Sequence, residues 1–274
     1  MNKIESAKRL APVVLFVYAR TDHTERPLDA LAKNHLASET DLIIYSDAPK
    51  HAGHAAGVAA VRALIRRYNN NFRSLVVHEQ PANLGLARSV IAGVSAAIAQ
   101  YGRVVVVEDD LETSACFLSF MNQALVVYQN DPKVFSVSGY ALPAGLMKYP
   151  KGFDQDVCLI PRHCSWGWAI RCVYAGFLRG QWTVYPRNSF VHNIGLDGTG
   201  VHCGETPEFR NDLGQALTSW RLPADLTMDP RICGAFASAV KTPWSPTAKL
   251  RVRHVVQKLR LLPLVRFFPR HAAA

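Results

Sequence analysis

Short runs of apolar, mostly β-branched residues recur along the first half of the chain. Such runs predict buried strands, and their spacing of about 30 residues is typical of strand–helix–strand units. The five runs occupy residues 12–18, 41–46, 74–78, 103–107 and 133–138. Because each run is continuous and does not alternate with polar residues, we expect strands that are covered on both faces.

Apolar residues three and four positions apart predict amphipathic helices between these strands. The first helix follows Thr24, and the fourth is expected to begin near Ser114. The apolar positions are Leu28, Leu31 and Leu36; Val58, Val61, Leu64 and Ile65; Val90, Ile91, Val94 and Ile98; and Phe117, Phe120, Met121, Leu125 and Tyr128. The alternation predicts an α/β fold, a three-layer sandwich around a mainly parallel sheet.

Regular patterning weakens after Tyr140, where glycine, proline and aromatic residues become frequent. A helical pattern lies near 170–178 and a strand pattern at 182–186. We therefore interpret 1–140 as the ligand-binding half of one domain, 141–229 as a cap half of the same domain, and 230–274 as a tail.

The tail carries most of the formal net charge of +10. No acidic residue follows Asp229, whereas nine lysine and arginine residues do. The rest of the chain is nearly neutral, which argues against a nucleic-acid partner. Residues 247–270 combine an apolar helical face with basic positions, which predicts contact with an anionic membrane surface. A helix docked on the domain with a solvated basic face is the alternative.

The six cysteines include no CxxC pair, and the N-terminal residues show no signal-peptide pattern. No apolar run approaches the roughly 20 residues of a membrane-spanning helix. We expect reduced cysteines and a cytoplasmic protein, peripheral at the inner membrane face if the tail binds lipid.

Ligands of open α/β sheets bind beyond the carboxyl ends of the strands. The valine run at 104–107 leads directly into Glu108, Asp109 and Asp110, three adjacent charges that a hard cation would offset. Side chains alternate along a strand, and we predict that Asp110 is the metal ligand. The alternative is that these acids complement the dipole of the helix near Ser114. No GxGxxG or GxxxxGK[ST] motif occurs, which excludes dinucleotide-binding and P-loop sites.

Seven segments, in this order, resemble bacterial GT-A glycosyltransferases related to N-acetylglucosaminyltransferase I. They are FVYARTDHTERPLDAL, IIYSDAPK, NLGLARS, VVVVEDDLETSACFLSFMNQAL, VSGY, SWGWA and NIGLDGTGVHC, between about residues 10 and 205. The resemblance implies a GT-A fold and inverting transfer of a sugar from a nucleoside diphosphate donor, with a UDP-sugar favoured. The acceptor would be a glycan or lipid-linked sugar of bacterial surface polysaccharide assembly, and Mn²⁺ or Mg²⁺ would bridge the diphosphate to the aspartates.

Strand exits and the resemblance together select the candidate site residues. Asp110 and His202 are the candidate metal ligands, and Asp197 and Glu205 are the candidate general bases, with His192 nearby. The candidate donor contacts are Tyr18, Arg20, Asp47, Asn83, Gly85, Arg88, Glu108, Asp109, Trp166 and Trp168. Plainer alternatives are a turn residue at Asp47, a solvated Arg88, a structural His202 and packing by one of the two tryptophans.

The resemblance breaks after SWGWA. Relatives carry a long acceptor-side segment there that ends in an acidic residue, whereas this chain continues directly into IRCVYAGF. A nucleotide-sugar-binding protein with lost or weak transferase activity is therefore the alternative function. A sugar nucleotidyltransferase is disfavoured, because ARTDHTERP is not the glycine-rich loop that such enzymes carry after the first strand.

Overall fold

The computed structural model describes residues 9–170, 181–199 and 205–240. The strands are β1 Val13–Val17, β2 Asp41–Ser46, β3 Ser74–Glu79, β4 Val104–Glu108, β5 Leu111–Thr113, β6 Val134–Ser138, β7 Val157–Ile160, β8 Trp168–Ile170, β9 Trp182–Pro186 and β10 Val191–Asn193. The α-helices described are α1 Thr21–Ala32, α2 Ala55–Ile65, α3 Leu86–Tyr101, α4 Phe117–Val127 and α5 Pro230–Ala239. All five strands predicted in the first half are present, each within one residue of its predicted ends.

One eight-stranded sheet, in the order β3-β2-β1-β4-β8-β6-β9-β7, runs through both halves of the chain. Strands β3, β2, β1 and β4 are parallel neighbours. Strand β8 is inserted antiparallel between β4 and β6, while β9 is parallel to β6 and β7 is antiparallel to β9. The predicted mainly parallel sheet is confirmed, with the antiparallel strands confined to its second half.

Helices cover both faces of this sheet, as a three-layer sandwich requires. Side chains of α1, α2 and α4 pack with Val13 and Leu15 on one face. Helix α3 packs with Val14 and Phe16 on the other face. Because β1 and the valines of β4 are covered on both sides, their side chains are 0–4% exposed.

Helix α5 falls inside the segment that the sequence assigns to the tail, yet it packs on the sheet. Ile232 and Phe236 contact Cys158, Ile160 and Tyr185 on β7 and β9. Asp229 caps this helix by accepting a hydrogen bond from the backbone N–H of Arg231. The described body therefore extends to residue 240, and the membrane prediction for 247–270 lies outside the described residues.

Four local predictions differ from the structure. The fourth helix begins at Phe117 and not near Ser114, and Leu36 lies beyond the end of α1. Ile91, predicted to face the core, is 65% exposed. Ile170, predicted to begin a helix, ends β8 because it pairs with Val104 on one side and Ser136 on the other; residues 171–178 of that predicted helix lie outside the described residues. Sheet pairing has overridden the local helical pattern at Ile170.

The described cysteines, Cys116, Cys158, Cys164 and Cys233, are free. Within residues 9–170, 181–199 and 205–240, no helix combines the length and apolar character needed to span a bilayer.

His163 offers a test of the packing around β8. Its ring stands edge-on to Trp168 and its Nδ1 lies 3.2 Å from the Ser136 hydroxyl. Burial lowers the pKa of His163 from its ordinary 6.5 to about 4. As the pH falls from 6.5 to 4, the unfolded chain therefore binds a proton that the folded chain excludes, and stability is lost in that window.

We expect His163→Phe to remove this part of the pH dependence, which amounts to on the order of 2 kcal/mol. The measurement is urea unfolding at several pH values from 4 to 8. Parallel stability–pH curves for the wild type and the variant would contradict a buried neutral histidine.

Candidate active site

The sheet order creates a crevice at the carboxyl ends of β1 and β4. From β1 the chain moves to β2 and β3 on one side, whereas β4 lies on the other side of β1. This reversal is the position at which open α/β sheets bind their ligands. Arg20 leaves β1 here, and the acidic run Glu108–Asp110 leaves β4 here, as the strand exits predicted.

The three carboxylates at the end of β4 lie in partly buried surroundings. Burial, followed by the charges of Asp110 and Asp109, raises the pKa of Glu108 to about 8. Burial, followed by the charge of Asp109, raises the pKa of Asp110 to about 6. Burial also raises the pKa of Asp109, although Arg20 opposes this effect. The cluster thus lacks positive charge, and a bound cation would favour its ionised form.

Arg20 supplies a single ion pair to this cluster. Its Nη2 donates a hydrogen bond to Asp109 Oδ1 at 3.2 Å. Its Nη1 is buried and has no hydrogen-bond partner among the described residues. A buried guanidinium N–H without an acceptor fits an oxygen of an anionic ligand at this position.

A short two-stranded ribbon places residues 194–199 beside Asp110. Strand β10 pairs antiparallel with β5, and the Ile194 N–H donates to the Asp110 carbonyl oxygen at 2.8 Å. A Cβ added to Gly195 would lie 2.3 Å from Asp110 Oδ2. Gly195 is therefore required because the Asp110 carboxylate occupies the space of a side chain.

Asp197, a predicted general base, is engaged in other contacts. Its Oδ1 accepts hydrogen bonds from the backbone N–H and the hydroxyl of Thr199, and its Oδ2 lies 3.0 Å from His23 Nε2. The Thr199 hydrogen bonds, with the charge of His23 as a smaller contribution, lower the pKa of Asp197 to about 2. A carboxylate of such low basicity accepts a proton poorly. The second candidate, Glu205, is exposed, and a Cβ added to Gly198 would lie 3.6 Å from the Glu205 Cβ.

Asp47 follows β2, as predicted, but its carboxylate binds the protein's own backbone. Oδ1 accepts from the N–H groups of Ala48 and Leu84, both at 2.9 Å, and Oδ2 accepts from the Gly85 N–H at 2.8 Å. Asn83 adds a hydrogen bond from its Nδ2 to the Ala48 carbonyl oxygen at 2.7 Å. These contacts favour the interpretation of Asp47 as a turn residue. Its carboxylate holds the loop at the start of α3 in place.

Two further residues that are predicted to contact the nucleotide-sugar donor, Tyr18 and Arg88, lie on the same edge of the sheet. The Tyr18 hydroxyl accepts from the Lys50 N–H at 2.9 Å and lies 2.6 Å from His54 Nδ1. Arg88 is exposed in the first turn of α3. This exposure agrees with the interpretation of Arg88 as a solvated arginine. Gly85 has φ of +74°, a conformation that favours glycine and turns the chain into α3.

The two tryptophans have different surroundings. Trp168 is 8% exposed and packs within the core on the α3 face. Trp166 is half-buried at the sheet edge and stands edge-on to Tyr140 and to Phe209, at ring distances of 4.7 and 6.0 Å. Trp168 is thus a packing residue, and Trp166 is the more accessible of the two, although it also packs against the main hydrophobic core.

No three His, Cys, Asp or Glu side chains converge on a metal-sized site within the described residues. The second predicted ligand, His202, lies outside them. The oxygen chemistry of Glu108, Asp109 and Asp110 nevertheless fits a hard divalent cation of the kind that takes one or two carboxylates and completes its shell with water and substrate phosphates. A site of that kind does not need three protein ligands.

Sequence patterns did not identify His23, Arg62 or the steric role of Gly195. His23 stands in a helix of ordinary amphipathic pattern, and Arg62 is one of several basic residues on α2 and just after it. Gly195 is one of several glycines in the segment NIGLDGTGVHC, and the sequence does not show which of them must lack a side chain. In each case the contact partner is more than 15 residues away in sequence, so no local signal marks the pairing.

No protein-family model matches the sequence, and no curated protein matches it. Several solved structures are similar to the chain. The mannosyltransferase PcManGT from Pyrobaculum calidifontis, in complex with GDP-Man and Mn²⁺, has 15% identity and a TM-score of 0.48, over 93% of this chain and 86% of that one. Glucosyl-3-phosphoglycerate synthase from Mycobacterium tuberculosis, in complex with Mn²⁺, UDP and glucosyl-3-phosphoglycerate, has 12% identity and a TM-score of 0.39, over 62% and 59%.

S. aureus TarS is similar over 51% of this chain, at 16% identity and a TM-score of 0.38. The chain spans only 24% of the length of TarS. Likenesses at such low identities concern the fold alone, and these TM-scores are too low to carry an argument about donor, acceptor or mechanism. The chemistry of the site therefore follows from the residues of this chain.

Gly195→Ala tests the contact between the ribbon and the acidic cluster. The added methyl group would displace the Asp110 carboxylate, and we expect about tenfold weaker Mn²⁺ binding, in the range for residues that orient a metal ligand. Gly145→Ala is the matched control, since a Cβ there meets nothing within 4 Å. Titration calorimetry with Mn²⁺ in the presence of UDP or GDP is the measurement; equal affinities in both variants would rule out the steric role.

Arg20→Met tests the ion pair with Asp109. The substitution leaves a largely buried carboxylate without its partner, and we expect a loss of about 2 kcal/mol in the free energy of unfolding. The double variant Arg20→Met/Asp109→Asn should recover most of this loss, as measured by denaturant unfolding of the metal-free protein. No recovery in the double variant would show that Arg20 acts through other contacts.

Proposed function

We propose that this protein is a metal-dependent GT-A glycosyltransferase that moves a sugar from a nucleoside diphosphate donor to a glycan or lipid-linked acceptor. The observation that carries the proposal is the carboxylate cluster at the sheet's switch point, next to a buried arginine N–H that has no acceptor among residues 9–170, 181–199 and 205–240. The cluster requires positive charge and Arg20 requires negative charge. A divalent cation together with a diphosphate satisfies both.

The sequence resemblance supports the finer assignments, namely a UDP-sugar donor and inversion at the anomeric carbon. The carboxylate cluster and the unpartnered Nη1 of Arg20 support a divalent cation with a nucleoside diphosphate as the ligand. The mannosyltransferase and synthase structures hold Mn²⁺ together with GDP-Man or UDP. Residues 247–270 are proposed to bring the enzyme to an anionic membrane surface in the cytoplasm, where a lipid-linked acceptor would be presented.

A bound Mn²⁺ or Mg²⁺ would offset the negative charge that grows on the departing diphosphate. Asp110, with Asp109 or Glu108, would hold the cation. Arg20 keeps Asp109 oriented through its Nη2, and its Nη1 would donate to a phosphate oxygen. The loop that Asp47 fixes, at residues 83–85, borders the same edge of the sheet and would contact the nucleoside.

The acceptor hydroxyl needs a base, and the described residues offer no strong candidate. Asp197 has too low a pKa, and the His192 Nδ1 accepts a 3.4 Å hydrogen bond from the Asn211 N–H, which leaves the proton of a neutral ring on Nε2. Glu205 remains as an exposed carboxylate, and its Cβ lies 3.6 Å from the position of a Cβ added to Gly198. These observations keep the second candidate function open, a nucleotide-sugar-binding protein with weak or lost transfer.

One assay separates the two functions. We expect Mn²⁺-dependent release of nucleoside diphosphate from at least one donor in a panel of UDP- and GDP-sugars, and a loss of about 100-fold in Asp110→Asn, as for loss of an electrostatic catalytic group. Asp225→Asn removes an exposed carboxylate elsewhere and serves as control.

Metal-dependent binding of a donor, with no release of nucleoside diphosphate in the presence of any acceptor tested, would favour the nucleotide-sugar-binding protein. Absence of metal-dependent binding to every donor would refute both functions.

A further inference from the structure

Arg62 on α2 clamps together the carboxyl ends of β2 and β3. Its Nε donates to the Ser46 hydroxyl at 3.1 Å, and its Nη1 lies 3.1 Å from Glu79 Oε2. Its Nη2 lies 3.3–3.5 Å from three backbone carbonyl oxygens, those of Ser46, Asp47 and Gln80. The side chain is 21% exposed, so most of this fork is enclosed by the chain ends it joins.

Asp47 continues this set of contacts toward the crevice. Its own N–H donates to the Val17 carbonyl oxygen of β1 at 3.3 Å, and its carboxylate binds the N–H groups of Leu84 and Gly85. Arg62 therefore holds the backbone of Asp47 from the helix side, and Asp47 holds the loop before α3 from the crevice side. Because Asp47 contacts both Arg62 and the loop, a displacement of the Arg62 side chain would be transmitted through Asp47 to residues 83–85.

We propose that Arg62 is a positioning residue for the nucleoside part of the donor. It lies behind Asp47 and acts through the Asp47–Gly85 contacts, without touching the donor itself. This inference rests on the proposed function, because the loop is assigned a nucleotide only there. It extends the site to a residue on α2 that neither the strand exits nor the sequence resemblance selects.

The guanidinium group is specific to this task. Its three nitrogens lie in one plane and together reach five acceptors on two chain ends, which the single ammonium nitrogen of lysine cannot do. Arg62→Lys should therefore behave as a loss of function and not as a conservative change. Arg66, one turn further along, is 71% exposed and contacts only Glu79 among these residues, so it provides the matched control.

The experiment compares Arg62→Met, Arg62→Lys and Arg66→Met with the wild type. Titration calorimetry with UDP and with GDP, each with Mn²⁺, should show about tenfold weaker binding in both Arg62 variants and a change below about twofold in Arg66→Met. In the transfer or hydrolysis assay the donor KM should rise while kcat changes little, because the contacts of Arg62 are at the ends of β2 and β3 and not at the acidic cluster.

Amide hydrogen exchange in the nucleotide-free proteins gives a second readout. The N–H groups of Leu84 and Gly85 should exchange faster in the Arg62 variants and at the wild-type rate in Arg66→Met. If only Arg62→Met fails to fold, Arg62→Lys carries the same comparison.

The outcomes separate the two proposals. Wild-type protein that binds neither UDP nor GDP overturns the proposed function, and the role of Arg62 with it. Wild-type protein that binds, with Arg62 variants that bind equally well or fall in kcat alone, overturns the role of Arg62 and leaves the proposed function standing.

Discussion

The site depends on charge that the fold concentrates at the end of a buried strand, β4. Four valines of β4 are 0–1% exposed, and the chain leaves them as three consecutive carboxylates. Water is partly excluded there, so the charges repel one another more strongly than they would in solvent. Arg20 relieves only Asp109 by a hydrogen bond. The proposed divalent cation would offset the remaining deficit of positive charge, and the proposed diphosphate would accept a hydrogen bond from Arg20 Nη1.

Two sets of contacts determine the shape of the crevice around this cluster. On the β4 side, the β5–β10 ribbon places Gly195 against Asp110, and the contact of His23 with Asp197 ties the following loop to α1. On the β2 side, Arg62 and Asp47 bind strand ends and the loop before α3. Most of these contacts join charged or polar side chains to backbone groups, so they determine backbone position more than they add stability.

Several predicted site residues have a different physical role from the one that their type suggested. Asp47 and Asp197 are acids at positions for which the sequence predicts ligand contacts. Their oxygens, however, accept hydrogen bonds from nearby backbone N–H or hydroxyl groups. A sequence shows that a carboxylate follows a strand, but it does not show which donors the folded chain brings within 3 Å. For the same reason the sequence does not mark Arg62 as a site residue, since its acceptors lie at the ends of two other elements.

The α/β class, the strands of the first half and the position of the acidic cluster were predictable from the sequence, because these follow from short-range periodicity and from the rule that parallel strands end at one edge. The folded structure was needed to show that β8 enters antiparallel between β4 and β6, that Trp168 lies in the core, and that Gly195 must lack a side chain. Each of these depends on contacts between segments far apart in the chain. Such contacts are set by packing and backbone hydrogen bonding across the sheet, for which local sequence carries no periodic signal.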